Sequence, residues 1–332
     1  MDVRIFGRNI AAGERAQFRV KVAEQNDGSD VTIPVIGVRG TRDGPVLALT
    51  GAIHGDEYAG WNVMRTLLPA IEPRRLRGTV VALPITNPFA FYGESRVNKL
   101  DYEFLNLNRI WPGDPNGFLS QVMAHRIFDG CLRHASYIID YHEGGRDFLA
   151  RYLMIGGAEA VRQKVYAQQE RMARWFGQGI PIRDITLTEE MVRMGRWGTL
   201  GEAAGLLGIP TLVPELGGGG RIWDHFLQDG VRGTRNVMIG LEMIDGPMEG
   251  TDQPQHVART GQWARPAHGG FVINRVELGD VVEEAGILGE VLDPYGQVVE
   301  TLRAPFKSVI LDTRFTTAVH PGDWTFSCGR IG

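Results

Sequence analysis

Two cysteines in 332 residues, Cys131 and Cys328, lie far apart in the chain. A disulfide framework and a cysteine-built metal knuckle are thereby excluded, and two buried thiols are expected instead. No stretch approaches the ~18 apolar residues of a membrane span. The opening, MDVRIFGRNI, lacks the charged segment followed by an apolar one that marks a secretory leader. A cytoplasmic protein without a membrane partner is expected. There is no basic stripe either: 35 Lys and Arg stand against 39 Asp and Glu, a formal net charge of −4, so no nucleic-acid partner is expected. The four glycines after Leu216 lack the lysine and Ser or Thr of a phosphate-binding loop. The hairpin candidate LDTRF lacks the lysine that would carry a lipoyl or biotinyl group.

What is present is an ordinary globular composition, 43% hydrophobic and 22% charged, with 44 glycines for tight turns. The length suits two domains at roughly 150 residues each. Residues 31–53 read as two strands, forming a hairpin or lying side by side, split by a TRDG turn. YAGWNVMRTLLPAI carries helical spacing, TVVALPI (79–85) is a buried strand, residues 120–135 a helix and SYIIDYH (136–142) a strand. A long amphipathic helix from Ala160, a shorter one at 201–208 and the strand IPTLVPE (209–215) continue the alternation. Strands that are continuous apolar runs, alternating with helices, predict an α/β sheet covered on both faces. Beyond the polar segment 246–255 only short strands between Gly, Asp and Pro turns are expected, a small all-β unit. The predicted domains are therefore 1–250 and 251–332.

Three of these strands end on groups that bind metals or move protons: His54 and Glu57 after LALTGAI, His142 after YIID, and Glu215 after TLVP. In an open α/β sheet such strand ends meet in one crevice. Two imidazoles and a carboxylate form a catalytic zinc set with an open fourth position, and His54, Glu57 and His142 supply them. Gly51 and Gly55 suit a sharp turn around the ion. Asp140, two residues before His142, suits a carboxylate that orients a ligating imidazole. Glu215, followed by glycines that leave space, is the candidate general base. The long polar segment 87–115 offers Asn108 and Arg109 to hold a substrate carboxylate, and Arg96 to stabilise an oxyanion.

Taken in order, GAIHGDE, NPFAF, NLNRIWPG, DYHEGG and PELGGG resemble the succinylglutamate desuccinylase/aspartoacylase family, which is related to the zinc carboxypeptidases. The resemblance spans roughly residues 45–220. It implies a zinc-carboxypeptidase-like mixed sheet flanked by helices, with a β-rich C-terminal domain partly covering the site. It implies one zinc per chain on His54, Glu57 and His142, Glu215 as general base, Asn108 and Arg109 as carboxylate clamp, and Arg96 as polariser of the scissile carbonyl. Family members often carry Asp where this chain has Asn106, and the interval from Arg96 to Asn108 is longer than the family's pattern. Glu143 stands beside His142 where small or neutral residues are common, which suggests selection of a cationic substrate.

The expected function is zinc-dependent hydrolysis of the amide bond of a small N-acyl amino acid. The alternatives are a metallocarboxypeptidase acting on short peptides and a non-catalytic, metal-containing binding protein. A symmetric homo-oligomer is the default expectation.

Overall fold

The computed structural model describes residues 4–101 and 103–332; residues 1–3 of the opening segment and Tyr102 in the long loop lie outside the described residues. Ten strands run in a continuous path through a thirteen-stranded sheet. From the N-terminal edge the order is Arg15–Glu24, Asp30–Arg39, Arg77–Leu83, Arg42–Thr50, Tyr137–Asp140, Thr211–Gly218, Phe148–Gly157, Ser308–Arg314, Phe326–Arg330 and Gly261–Ala264. The centre is parallel: Arg42–Thr50 pairs in parallel with Arg77–Leu83 on one side and Tyr137–Asp140 on the other, and Tyr137–Asp140 with Thr211–Gly218. The flanks are antiparallel, so the sheet is mixed.

Helices cover both faces. Ala59–Ala70 is the crossover between two parallel strands, and it places Val63, Met64, Leu67 and Leu68 in a core with Leu47, Leu49, Ile139 and Leu212. Glu159–Phe176 and Asp224–Gly240 pack on that same face. On the opposite face Leu119–Gly130 and Leu200–Leu206 cover Ala48, Val81 and Ile138. Alternate residues of the central strands thus feed two separate cores, which is why these strands read as unbroken apolar runs.

Residues 31–53 do not form neighbouring strands. Arg77–Leu83 lies between Asp30–Arg39 and Arg42–Thr50, because the helix after Glu57 returns the chain for parallel pairing on that side. Asp43 and Gly44 lie inside the strand rather than in a turn. The hairpin is formed instead by Arg15–Glu24 with Asp30–Arg39. Among the elements not singled out above are Phe148–Gly157, Ile182–Thr186 and the helices Pro88–Tyr92, Glu189–Arg193 and Asp224–Gly240.

After Gly240 the described residues contain strands and no helix. Gly270–Asn274, Ile287–Leu292, Val298–Arg303 and Ala318–Val319 make a separate antiparallel sheet of four. The other C-terminal strands extend the large sheet, where Ser308–Arg314 pairs with Phe148–Gly157. Both cysteines are buried and unpaired; burial pushes Cys131 up to about 12 and Cys328 up to about 11. No helix among the described residues is long and apolar enough to cross a membrane.

Candidate metal centre and active site

The strand Arg42–Thr50 ends, and Ala59–Ala70 begins nine residues later. The turn between them carries His54 and Glu57. The left-handed residue in it is Ala52 (φ 48), not a glycine. Gly55 is required for a different reason: a Cβ there would lie 1.9 Å from the carbonyl carbon of Ala90. The turn is pressed against the Pro88–Tyr92 helix, and the Gly55 N–H donates to Ser95 O at 2.9 Å.

That packing aims two side chains at a third from a neighbouring strand. His54 Nδ1 lies 2.7 Å from Glu57 Oε1, His142 Nδ1 lies 2.7 Å from Glu57 Oε2, and the two Nδ1 atoms are 3.1 Å apart. Ligand atoms from all three residues fall within 4.8 Å of one another, and all three residues are buried. Donors around a tetrahedral ion with bonds of about 2.05 Å are spaced by roughly 3.3 Å, so this set fits one divalent cation. Burial holds His54 down at about 4, the neutral state a ligand needs. Burial opposes ionisation of Glu57, but the His54 and His142 rings beside it keep its carboxyl below the usual carboxylate range.

The ring nitrogens turned away from the cluster are also held. With Nδ1 facing the cluster, His142 Nε2 carries the proton and donates to Asp140 Oδ2 at 3.2 Å, while Asp140 Oδ1 accepts from the Thr50 hydroxyl at 2.6 Å. His54 Nε2 donates in the same way to Asn106 Oδ1 at 3.1 Å. Asp140 thus orients an imidazole, as its position suggested. Asn106 does the same with a neutral oxygen; its only signal in the sequence was its departure from the family's aspartate. Thr50 carried no signal, since its role needs the alignment of two strands.

The remaining candidates gather at the same strand ends. Arg96 places NH1 3.1 Å from Glu57 Oε1 with its side chain half exposed. Asn108 is buried; its Nδ2 sits 3.2 Å from His142 Nε2, and its Oδ1 accepts from the Leu200 N–H at 3.0 Å. Arg109, exposed as a residue, donates to Asn108 O at 2.7 Å. Burial, with Arg96 nearby, lowers its pKa. Glu215 forms a parallel bridge with His142, so their side chains share one face of the sheet. The residue is only partly exposed, and no hydrogen bond or ion pair engages its carboxyl among the described residues. Burial, together with the charges of Glu57 and Asp312, pushes Glu215 up to about 8.

Glu143 is different. It follows His142 in an extended segment and projects to the other face, where its Oε2 accepts the Ala59 N–H at 2.9 Å. The Ala59–Ala70 helix has no side-chain cap of its own at Tyr58, so Glu143 supplies one from 84 residues away. It faces this helix start rather than the side on which His142 and Glu215 lie, which removes the reason to expect it to choose the substrate.

The succinylglutamate desuccinylase/aspartoacylase catalytic-domain model matches residues 43–241. The chain belongs to this family. A curated relative, the N-alpha-acetyl-L-2,4-diaminobutyric acid deacetylase of Halomonas elongata, is 28% identical over 316 residues, covering 92% of this chain and 88% of the relative. Solved structures share the fold. A succinylglutamate desuccinylase from Silicibacter sp. superposes with a TM-score of 0.82 at 23% identity, covering 97% of each chain. The product-bound ectoine utilization protein EutE (DoeB) from Ruegeria pomeroyi gives 0.79 at 24%, covering 96% of this chain and 97% of that one.

Proposed function

We propose that the protein hydrolyses the amide bond of a small N-acyl amino acid, using zinc held by His54, Glu57 and His142. The observation that carries the reading is the convergence of two imidazole Nδ1 atoms and both Glu57 oxygens on one point, with the unpaired Glu215 carboxyl on the same face of the sheet. The named activity of the Halomonas elongata relative belongs to the same reaction class. Zinc, when bound, supplies Lewis acidity to the scissile carbonyl and makes water more acidic at neutral pH.

The chain's own groups do the rest. Glu215 takes a proton from the attacking water and returns it to the leaving amine, a task suited to a carboxyl whose pKa lies near the working pH. Arg96, at the open side of Glu57, donates to the oxygen on which charge develops. Arg109, beside Asn108, holds the substrate carboxylate so that the acyl carbon is presented in one orientation. Residues 1–250 form the catalytic unit, and 251–332 a β-rich unit that partly covers the site.

The test is a panel of N-acetyl and N-succinyl amino acids assayed with zinc-loaded and with chelated protein, scoring amine release. Release from at least one, abolished by chelation and restored by zinc, is expected. Chelation-resistant release would remove the metal from the reading, and no release from any member would remove the reaction class.

A further inference from the structure

Tyr152 lies opposite Glu215 in the pairing of Phe148–Gly157 with Thr211–Gly218, and Ala150 lies opposite Asp312 in the pairing with Ser308–Arg314. Ile182–Thr186 runs parallel to the same strand and sets Arg183 beside Met154. Cross-strand partners share a face, as do residues two apart on one strand. Ala150, Tyr152 and Met154 therefore put Asp312, Glu215 and Arg183 on a single face, and the His142 bridge to Glu215 makes it the face of the candidate metal centre. A strand that comes after residue 300 has contributed a carboxylate to the row that starts at the candidate base. Two strand spacings and a two-residue offset separate the backbones of Glu215 and Asp312, roughly 12 Å.

Asp312 is 6% exposed, and its Oδ2 has no hydrogen-bond partner. Its surroundings do not settle that oxygen: the Ser327 hydroxyl serves the carboxyl once and Arg183 acts on it by its charge, yet Oδ2 stays unpaired. A buried carboxylate oxygen without a donor is expensive, so its retention needs a reason. Two carboxyls, Glu215 and Asp312, face one guanidinium, Arg183, and one neutral hydroxyl, Tyr152. The row has an excess of acceptors. The span from an α-amide nitrogen to an ammonium on the γ carbon of an amino acid is roughly 5 Å, which fits between side chains whose backbones are two strands apart.

We propose that Asp312 is a specificity-determining residue that accepts a hydrogen bond, through Oδ2, from an ammonium group on the side chain of the substrate's amino-acid half. The proposal rests on the deacylase reading above. It makes the preferred substrate an N-acyl diamino acid, oriented with its amide at Glu215 and its free ammonium toward the C-terminal strand. Arg183 and Tyr152 border the subsite.

The experiment compares zinc-loaded wild type, Asp312→Asn and Asp312→Glu on Nα-acetyl-L-2,4-diaminobutyrate and on Nα-acetyl-L-norvaline, which has the same chain length without the charge. Wild type is expected to favour the cationic substrate in kcat/KM by about 10- to 100-fold, the worth of one hydrogen bond to a charged group. Asp312→Asn should lose that preference, read as the ratio of kcat/KM on the two substrates so that any change passed to Glu215 cancels, and Asp312→Glu should retain part of it. An equal fall on both substrates would mean that Asp312 acts only through Glu215 or through packing, and an unchanged preference would mean that it does not touch the substrate; either overturns the proposal. Calorimetric binding of free L-2,4-diaminobutyrate and L-norvaline to the same proteins reads the subsite without turnover. If no substrate releases amine, the deacylase reading fails while this arm still decides whether Asp312 discriminates charge: a wild type that binds both amino acids alike overturns the subsite without recourse to any variant.

Discussion

His54 Nδ1 and His142 Nδ1 lie 3.1 Å apart across 88 residues of chain, with one oxygen of Glu57 against each. The arrangement depends on parallel pairing of Arg42–Thr50 with Tyr137–Asp140, which sets Thr50 opposite Asp140 and brings both strand ends to the same level. The Thr50 hydroxyl then fixes Asp140, and Asp140 fixes His142.

Asp140→Asn should weaken zinc binding by about 10- to 100-fold, the usual loss when the partner of a ligating imidazole is altered. Asn106→Ala should cost less, because the oxygen it removes from His54 is uncharged. Competition against a chelating indicator measures both. Equal effects would show that the charge on Asp140 has no bearing on the ion.

Glu215→Gln should keep a full equivalent of zinc and lose about 10²- to 10⁴-fold in kcat, the range for a positioned proton carrier. Metal content by elemental analysis and single-turnover rates on the same preparation separate the two quantities. A variant that turns over near the wild-type rate would place proton transfer elsewhere.

Removing the carboxyl at Glu143 uncaps the Ala59–Ala70 helix. Glu143→Ala should lower stability by about 1–2 kcal/mol, read as a shift in the urea midpoint. Glu143→Gln, whose carbonyl can still accept the Ala59 N–H, should lie closer to wild type. The preference between basic and neutral N-acyl amino acids should stay the same in both, since Glu143 faces the helix start and not the candidate site.

Burial pushes Asp312 up to about 6 from the ordinary 3.8, against the Arg183 charge and the Ser327 hydroxyl. The folded chain therefore holds this proton more tightly than the unfolded one. The stability it contributes is complete below pH 3.8, declines as pH rises, and is gone above about 6, a swing on the order of 3 kcal/mol. Asp312→Asn abolishes this titration, so its stability relative to wild type should be greater at pH 7.5 than at pH 4. Urea unfolding at both values checks the sign; a difference independent of pH would show that the carboxyl is not held in a desolvated place.

Much of the stretch up to Gly240 was legible because its strands are buried on both sides and its helices carry a one-sided apolar pattern. Tyr137–Asp140 and Thr211–Gly218 could be located within a few residues from their apolar runs. Phe148–Gly157 escaped notice because Arg151, Tyr152 and two terminal glycines interrupt its pattern, and Asp224–Gly240 because three glycines dilute its helical spacing. Pairing was harder to read than element type. Nothing local in residues 31–53 shows that Arg77–Leu83 will come between its two strands.

By itself the sequence determined the chemical inventory: His54, Glu57, His142 and Glu215 at the ends of apolar runs, in the order of a known family, within a chain too poor in cysteine for any other metal site built on thiolates. It could do so because ligand type and strand periodicity are local properties. Tertiary structure alone decided that Asn106 holds the outer nitrogen of His54, that Glu143 turns away to cap a helix, and that Asp312 joins the face of Glu215 from the far end of the chain. The placements of Glu143 and Asp312 follow from strand order and register, and a one-residue slip in register would send each side chain to the opposite face.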